Sequence, residues 1–382
     1  MKILHTSNLH IGKRVNEYSM LDEQKFILEQ IVTIAEAEQP NAIILAGDIY
    51  DKNIPSAEAV TLFDDFLVSL ARLGKNIFII SGNHDSAERI SFASRIMEVS
   101  KVHLAPVYNG NIQPIILKDK DTDVAFYLLP YIRPSLVSHY ADDNDHEKIK
   151  TYDDAMRYVI QHLNLDDSRR NILITHQFIT NAERTESEDI IVGGLDNIDA
   201  STFEKFDYVA LGHLHRPQFC GKQNIRYSGS PLKYSFSEVN DKKSITIIEF
   251  NGNSPINITE KYLTPLHEWY DLRGTYDELT ARDFYADTDL QEAYVRITLT
   301  DEDDIPDGMR RLKTIYHRLT ELRYDNKRTR AGQTLIGKPM NVEELNPAQL
   351  FGDLFEKQNA QPLSEEQSLY LNNIIDQIFN KR

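Results

Sequence analysis

Five short segments, each just beyond an apolar run, carry side chains of the kind that hold metal ions. Asn8-Leu9-His10 follows Ile3-Leu4-His5, Gly47-Asp48-Ile49-Tyr50-Asp51 follows Ala42-Ile43-Ile44-Leu45-Ala46, and Gly82-Asn83-His84-Asp85 follows Asn76-Ile77-Phe78-Ile79-Ile80. Farther along, Thr175-His176-Gln177 and Gly212-His213-Leu214-His215 close two more such runs. Five of the 12 histidines fall in these segments. Imidazoles beside carboxylate and amide oxygens, with no thiolate, suit Mn²⁺, Fe²⁺ or Zn²⁺ rather than a cysteine-rich structural zinc. The eight candidates Asn8, His10, Asp48, Asn83, His84, His176, His213 and His215 are too many for one ion. They suit two ions sharing a bridging carboxylate, a pair that activates water and stabilises the attacking and leaving oxygens of a phosphoester.

Such a constellation needs strands that end together. Over residues 1–100 the pattern alternates strand and helix, with helices predicted at 20–37, 56–73 and 87–99 between the apolar runs. Strands that are apolar throughout imply a sheet covered on both faces. The carboxyl ends of strands are where open α/β sheets bind ligands. Further strands are predicted at 124–129, 171–176, 208–212, 225–228 and 244–250, and 142–153 reads as a solvated loop. Residues 266–324 read as a small αβ unit, with a strand near 293–299 and a helix near 308–322. After a linker at 333–342 come two short amphipathic helices. The first carries Leu350, Phe351, Leu354 and Phe355. The second opens with the capping box Ser364-Glu365-Glu366-Gln367 and carries Leu371, Ile374, Ile375, Ile378 and Phe379.

The chain of 382 residues is long enough for two or three domains. Its 41% hydrophobic and 26% charged content excludes wholesale disorder. No apolar run approaches the ~18 residues that cross a bilayer, and Met1-Lys2-Ile3-Leu4-His5-Thr6 lacks a signal-peptide core. The single cysteine, Cys220, excludes an intramolecular disulfide. A cytoplasmic protein with no membrane contact is expected.

Lys+Arg 42 against Asp+Glu 59 gives −17, a charge that repels nucleic acid on average. Polyanion binding therefore requires a local basic patch, a metal site or a partner. Residues 310–338 hold nine basic residues against Glu321 and Asp325. This stretch, with Lys327, Arg328 and Arg330, suits phosphate contacts, an acidic protein surface or a solvated helix face. Gly332-Gln333-Thr334-Leu335-Ile336-Gly337-Lys338-Pro339 nearly spells a P-loop, but Pro339 replaces the metal-binding hydroxyl and no strand precedes it. ATP dependence would have to come from another chain.

The order D-x-H, G-D-x-x-D, G-N-H-[DE], a lone His and G-H-x-H resembles the calcineurin-like metallophosphoesterase superfamily over residues 1–250, apart from Asn at the first position. Residues 1–13, Gly82-Asn83-His84-Asp85-Ser86, Leu129-Pro130-Tyr131, Tyr227-Ser228-Gly229-Ser230-Pro231 and Asn346-Pro347-x-x-Leu350-Phe351 narrow the resemblance to the SbcD family of bacterial double-strand-break repair nucleases. That resemblance implies a four-layer α/β/β/α domain over 1–264 and a small αβ capping, DNA-binding domain over 265–331. A linker over 332–345 and a helical segment over 346–382 follow.

By position, the resemblance gives one ion Asn8, His10, Asp48 and His215, and the other Asp48, Asn83, His176 and His213. His84 becomes the general acid, with Asp51 orienting it; the other reading of Asp51 is that it caps or closes the turn after its strand. Asp85 belongs either to the site or to the cap of the next helix. The family also implies Mn²⁺, with Mg²⁺ as the alternative, and 3′→5′ exonuclease action on duplex ends with endonuclease action on single strands and hairpins. It implies a homodimer through phosphoesterase-domain helices, association with the nucleoid, and ATP gating by SbcC, an ABC-type coiled-coil ATPase. Leu350, Phe351, Leu354, Phe355, Ile375 and Ile378 would grip that partner.

Asn8 stands where the family has Asp. An amide offers a dipolar oxygen but no charge, so weaker binding of the first ion and reduced or abolished hydrolysis are expected, with fold and DNA binding kept. The near-isosteric change has the form of an inactivating substitution; a natural variant and a site tolerant of the amide are the other readings. Two rival functions stay open: hydrolysis of small phosphodiesters, and a non-catalytic DNA-end scaffold. His5, His103, His139, His146, His162, His267 and His317 lack motif context and read as surface or core residues.

Overall fold

The run Ile3-Leu4-His5-Thr6 has no polar side to turn to water. In the computed structural model it becomes β1 (Lys2–Thr6), an interior strand of a six-stranded sheet. The structure describes residues 1–90, 94–120, 122–142, 144–188, 196–252, 254–327, 329–330, 348, 351–352, 354–356 and 362–379. They form two units, Met1–Trp269 and Tyr270–Arg382.

After β1 a short hairpin, β2 (Arg14–Val15) and β3 (Tyr18–Ser19), leads into α1 (Leu21–Glu38). Then follow β4 (Ala42–Ala46), α2 (Ala57–Ala71), β5 (Asn76–Ile80), α3 (Ala87–Ile90), α4 (Ser94–Val99) and β6 (Val102–Ala105). The predicted helix at 87–99 is thus two described segments, α3 and α4. Next come β7 (Ile115–Leu117), β8 (Val124–Leu129), α5 (Pro134–Tyr140), α6 (Tyr152–Gln161), β9 (Arg170–His176) and β10 (Tyr208–Gly212). The unit closes with β11 (Gln218–Cys220), β12 (Lys222–Tyr227), β13 (Ser244–Glu249) and β14 (Asn257–Tyr262).

The first sheet runs β14-β13-β1-β4-β5-β6 and the second β11-β12-β10-β9-β8-β7. β1, β4 and β5 are parallel, as are β8, β9, β10 and β12, so each sheet gathers several carboxyl ends along one edge. The sheets pack face to face. Ile3, Ile44, Phe78 and Ile80 meet Phe126, Ile172, Ile174 and Ala210, and Phe78 stacks on Phe126 with ring centroids 4.4 Å apart. On the outer face of the second sheet, Tyr127, Leu129, Leu173 and Val209 pack with Val137 of α5 and Met156 and Val159 of α6. α1 and α2 flank the first sheet and bury Ile27, Leu28, Ile31, Phe66 and Leu70. This is an α/β/β/α arrangement.

The polar run at 142–153 is not loop throughout. Its end starts α6, where the Thr151 hydroxyl accepts from the Asp154 N–H and the Asp154 carboxylate accepts from the Thr151 N–H. Those polar residues serve the cap rather than a solvated turn.

The second unit holds β15 (Trp269–Gly274), α7 (Tyr276–Thr280), α8 (Arg282–Tyr285), β16 (Tyr294–Leu299), α9 (Gly308–Leu312), β17 (Arg318–Tyr324) and α10 (Glu365–Phe379). Its sheet, β15-β16-β17, buries Val295, Ile297 and Leu299 with Leu279, Leu312 and Leu319. The helix predicted at 308–322 therefore ends at Leu312, and a strand follows. The register of β17 against β16 shifts between Leu319 and Glu321, a bulge that leaves Leu319 and Leu322 three apart. That spacing imitates one face of a helix. α10 starts as predicted: Ser364 Oγ accepts from the Gln367 N–H at 3.2 Å, and Gln367 Oε1 from the Ser364 N–H at 2.9 Å. The linker and the near-P-loop lie outside the described residues.

Candidate metal centre

The ends of β1, β4 and β10 turn sharply. Asn8, His10, Asp48 and His213 have φ of 53°, 44°, 51° and 101°, in the left-handed region that non-glycine residues avoid. Such strain persists only where the surroundings over-determine it, and it clusters at functional sites. Two glycines let the loops approach. A Cβ on Gly212 would lie 1.8 Å from the Ala46 carbonyl oxygen, and one on Gly82 would lie 2.1 Å from Asp48 Oδ1.

One half of the centre forms around Asn83. His176 Nδ1 lies 2.8 Å from the Ala46 carbonyl oxygen, which can only accept, so Nδ1 carries the proton. The Nε2 of His176 then faces Asp48 Oδ2 at 3.1 Å and Asn83 Oδ1 at 3.1 Å. His213 Nδ1 reaches the same Asn83 oxygen at 3.0 Å. The lone pairs of nitrogen, carboxylate and amide thus converge in a buried space, an arrangement that needs either a proton or a cation. Burial opposes charge on His176, but Asp48 more than offsets it and holds the imidazole above its ordinary range. Burial, with His176 beside it, pushes His213 down to about 3.

The other half pairs His10 with His215, Nε2 to Nε2 at 3.0 Å. A buried chain sets the tautomer of His215. Its Nδ1 lies 2.7 Å from Ser187 Oγ, whose hydroxyl donates to Glu238 at 2.6 Å. Ser187 therefore accepts from Nδ1–H, and Nε2 presents its lone pair to His10. Glu238 is fully buried and accepts from Lys243 at 2.6 Å; burial would raise its carboxyl, but Lys243 holds it well below the usual range. Lys243 also donates to the His215 carbonyl at 2.9 Å, and Glu188 accepts from the His215 N–H at 2.6 Å. Ser187, Glu188, Glu238 and Lys243 were invisible to motif spacing, because each comes from a loop or a single helical turn without a pattern of its own.

Asp48 lies between the halves, 3.6 Å from His10 and 3.1 Å from His176. Burial works to raise it, but His176, His10 and His84 keep it ionised well below the carboxylate range. Ligand atoms of His10, Asp48 and His84 lie within 4.8 Å of one another.

Asn8 joins differently. Its Oδ1 accepts from the His213 N–H at 2.9 Å, and its Nδ2 donates to the Leu214 carbonyl at 2.8 Å. It clasps the end of β1 to the turn after β10. His84 places Nδ1 at 3.0 Å from the backbone carbonyl of Asp51, while the Asp51 carboxylate pairs with Lys13 at 2.8 Å. Asp51 thus orients His84 through its main chain. Asp85 does not cap a helix: its carboxylate accepts from the N–H groups of Gly82, Ile49 and Tyr50 and ties two site loops together.

The basic stretch looks different in three dimensions. Arg310 pairs with Asp307, Arg318 with Glu292, Arg323 with Glu321 and Arg330 with Asp325, while Lys327 stands 4.0 Å from Glu302. Most of these carboxylates come from 292–307, upstream of the basic stretch itself. Arg328 and Leu350 lie outside the described residues. Phe351 and Leu354 are exposed, Phe355 and Ile375 half-buried, and Ile378 lies on α10.

The donor set fits a pair of divalent ions. Asp48, Asn83, His176 and His213 would hold one, and His10, His215 and Asp48 the other, with Asn8 adjoining through His213. The calcineurin-like phosphoesterase family matches residues 1–217, and a family described as the type 5 capsule protein repressor C-terminal domain matches 263–359. The D component of the nuclease SbcCD from Staphylococcus epidermidis is 35% identical over 326 residues, 84% of this chain and 85% of the relative. The protein of the same name from Staphylococcus saprophyticus is 28% identical over 381 residues, 98% of each. A dimetal phosphatase structure from Danio rerio covers 69% of this chain and 95% of its own, with a TM-score of 0.42 and 10% identity. The chain belongs to the calcineurin-like phosphoesterases and, within them, to the family of the SbcD components of SbcCD nucleases.

Proposed function

We propose that the chain is a metal-dependent DNA nuclease subunit that hydrolyses phosphodiesters at double-strand ends and hairpins. The observation that carries this reading is the buried convergence of His176 Nε2, Asn83 Oδ1 and Asp48 Oδ2, matched by the facing nitrogens of His10 and His215. Two bound ions, Mn²⁺ by the oxygen-and-imidazole donor set with Mg²⁺ as the alternative, would supply an activated water and neutralise phosphoryl charge. As an imidazolium with its Nδ1–H donating to the Asp51 carbonyl, His84 would give its Nε2 proton to the leaving sugar oxygen. Asp85 and Asp51 hold the loops that carry these groups.

Family membership supports 3′→5′ exonuclease and single-strand or hairpin endonuclease action, gated by ATP through SbcC in the cytoplasm. Among the described residues no helix is long and apolar enough to cross a membrane. Residues 346–382 would bind SbcC, with Phe351 and Leu354 already exposed. Lys327, Arg328 and Arg330 would add phosphate contacts. A homodimer through α1 and α2 is supported by the groove between them, lined by Leu28, Val32, Leu62 and Phe66. A sedimentation mass of 44.1 kDa at micromolar protein would refute the dimer.

The decisive experiment compares this chain with Asn8→Asp on a labelled duplex end in Mn²⁺, with and without SbcC. Activity in the aspartate form alone supports the two-metal nuclease and an impaired native chain. The Asn8 clasp on Leu214 favours a second reading, a DNA-end scaffold without turnover. End binding by both forms with hydrolysis by neither would select it.

A further inference from the structure

A cleft of about 500 Å³ opens beside Asn83, the residue shared by His176 and His213. It is large enough for a nucleotide-sized group. Beside Ser81, Ser135 and Asp85, whose carboxylate is occupied by backbone N–H groups, its walls combine three kinds of surface. Tyr131 offers an aromatic ring whose hydroxyl is tied to that of Tyr152 at 3.1 Å and which stacks against His213, centroids 6.5 Å apart and planes at 27°. Pro106 and Val107 supply apolar surface, and the Val107 side chain is half exposed. Arg133, exposed, stands 5.9 Å from the centroid of the Tyr131 ring, and His139 lines the same cleft. Among the described residues no carboxylate pairs with Arg133, whereas five basic residues of the 310–330 stretch have carboxylate neighbours.

On a chain of −17, a cation without a carboxylate beside a metal centre is a place for an anion. An aromatic ring and an apolar wall lining one cleft accept any nucleobase by its face. An arginine fork matches two phosphate oxygens. We propose that this cleft is a nucleotide subsite. It takes the nucleotide adjoining the scissile phosphate, with Arg133 on a backbone phosphate and the base against Tyr131, Pro106 and Val107. The inference rests on the nuclease reading and assigns that site's substrate contacts to residues outside the metal motifs. Because Tyr131 and the apolar wall discriminate neither base nor strand, the subsite is sequence-tolerant.

The test is binding rather than turnover, so an impaired centre does not obscure it. A fluorescein-labelled phosphorothioate trinucleotide, short enough to engage only the centre and the cleft, is titrated with the full chain in Mn²⁺ and followed by anisotropy over a range of salt. Arg133→Ala is expected to weaken binding at least about fivefold and to lower the salt slope by about 1. Arg133→Lys should keep the slope while recovering only part of the affinity. Val107→Asp, in the apolar part of the lining, should weaken binding roughly tenfold. Both positions are exposed, and equal melting temperatures verify the fold. If the unsubstituted chain binds and all three variants match it at every salt concentration, the subsite is refuted and the nuclease reading stands. If the unsubstituted chain binds neither the trinucleotide nor a labelled duplex end, both fall together.

Discussion

At Asn8, one amide serves two ends. Its oxygen is the atom offered to the first ion by position, yet it already accepts from His213, and its nitrogen is committed to the Leu214 carbonyl. A carboxylate would restore charge for the ion but could not donate to Leu214. Asn8→Asp should therefore raise Mn²⁺-dependent hydrolysis by roughly tenfold or more. Without metal it should cost about 1 kcal/mol, a fall of about 2–4 °C in melting temperature. A gain in activity with no loss of metal-free stability would show that the clasp contributes nothing. Ser187 gives a second case. As the link between His215 Nδ1 and Glu238, it keeps the His215 lone pair on Nε2. Ser187→Ala is expected to lower Mn²⁺ affinity about 10- to 100-fold by calorimetric titration, as loss of the partner that orients a ligand does. An unchanged isotherm would mean that packing alone orients the ring.

Between the sheets, β1 carries an ionisable group that the site does not use. His5 faces β10, where its Nδ1 meets the Tyr208 hydroxyl at 3.0 Å. Burial, then the nearby Arg226, pushes its pKa down to about 3. The folded chain refuses a proton that the unfolded chain accepts near pH ~6.5. Between those values the unfolded state binds more protons, so stability rises with pH and is lost on acidification below ~6.5, by up to ~1.4 kcal/mol per pH unit. His5→Gln should remove that component. Denaturant unfolding of both forms from about pH 4 to 7 tests it, and parallel profiles would clear His5 of the role. Asn8 lies two residues beyond the end of the same strand, so acid loosening of the sheet pair also loosens the site.

For the whole molecule, charge and division into units matter more than any one contact. The chain is strongly acidic, and the basic stretch of the second unit is largely matched by carboxylates. Nucleic-acid affinity should therefore depend on bound metal and on Arg133 rather than on a broad basic face. Phe351, Leu354, Leu369 and Tyr370 stay exposed on the C-terminal helices. Deleting residues 345–382 is expected to abolish co-elution with SbcC while leaving the melting transition of residues 1–330 within about 2 °C, since the two-sheet core closes without them. Retained co-elution would move the partner site elsewhere, and a collapsed core would show that the helices pack on the chain itself.

Metal-binding residue types, their order and their places after apolar strands could be read from the chain, because a buried parallel strand must be apolar along its length and must end where polar groups begin. Apolar periodicity likewise marked β4, β5, β8 and β10 at their observed bounds. Tertiary structure alone decided which atoms face one another. Asn83 serves two imidazoles, Asp51 acts through its carbonyl, and Asp85 ties loops instead of capping a helix. The bulge in β17 hid a strand behind a helical spacing, because one extra residue breaks the period of two. The Ser187–Glu238–Lys243 chain and the cleft at Arg133 bring together segments far apart in sequence, whose proximity comes only from closing two sheets on each other. Spacing along the chain reports what one strand or helix requires; the partners of a buried polar atom depend on which elements fold against it.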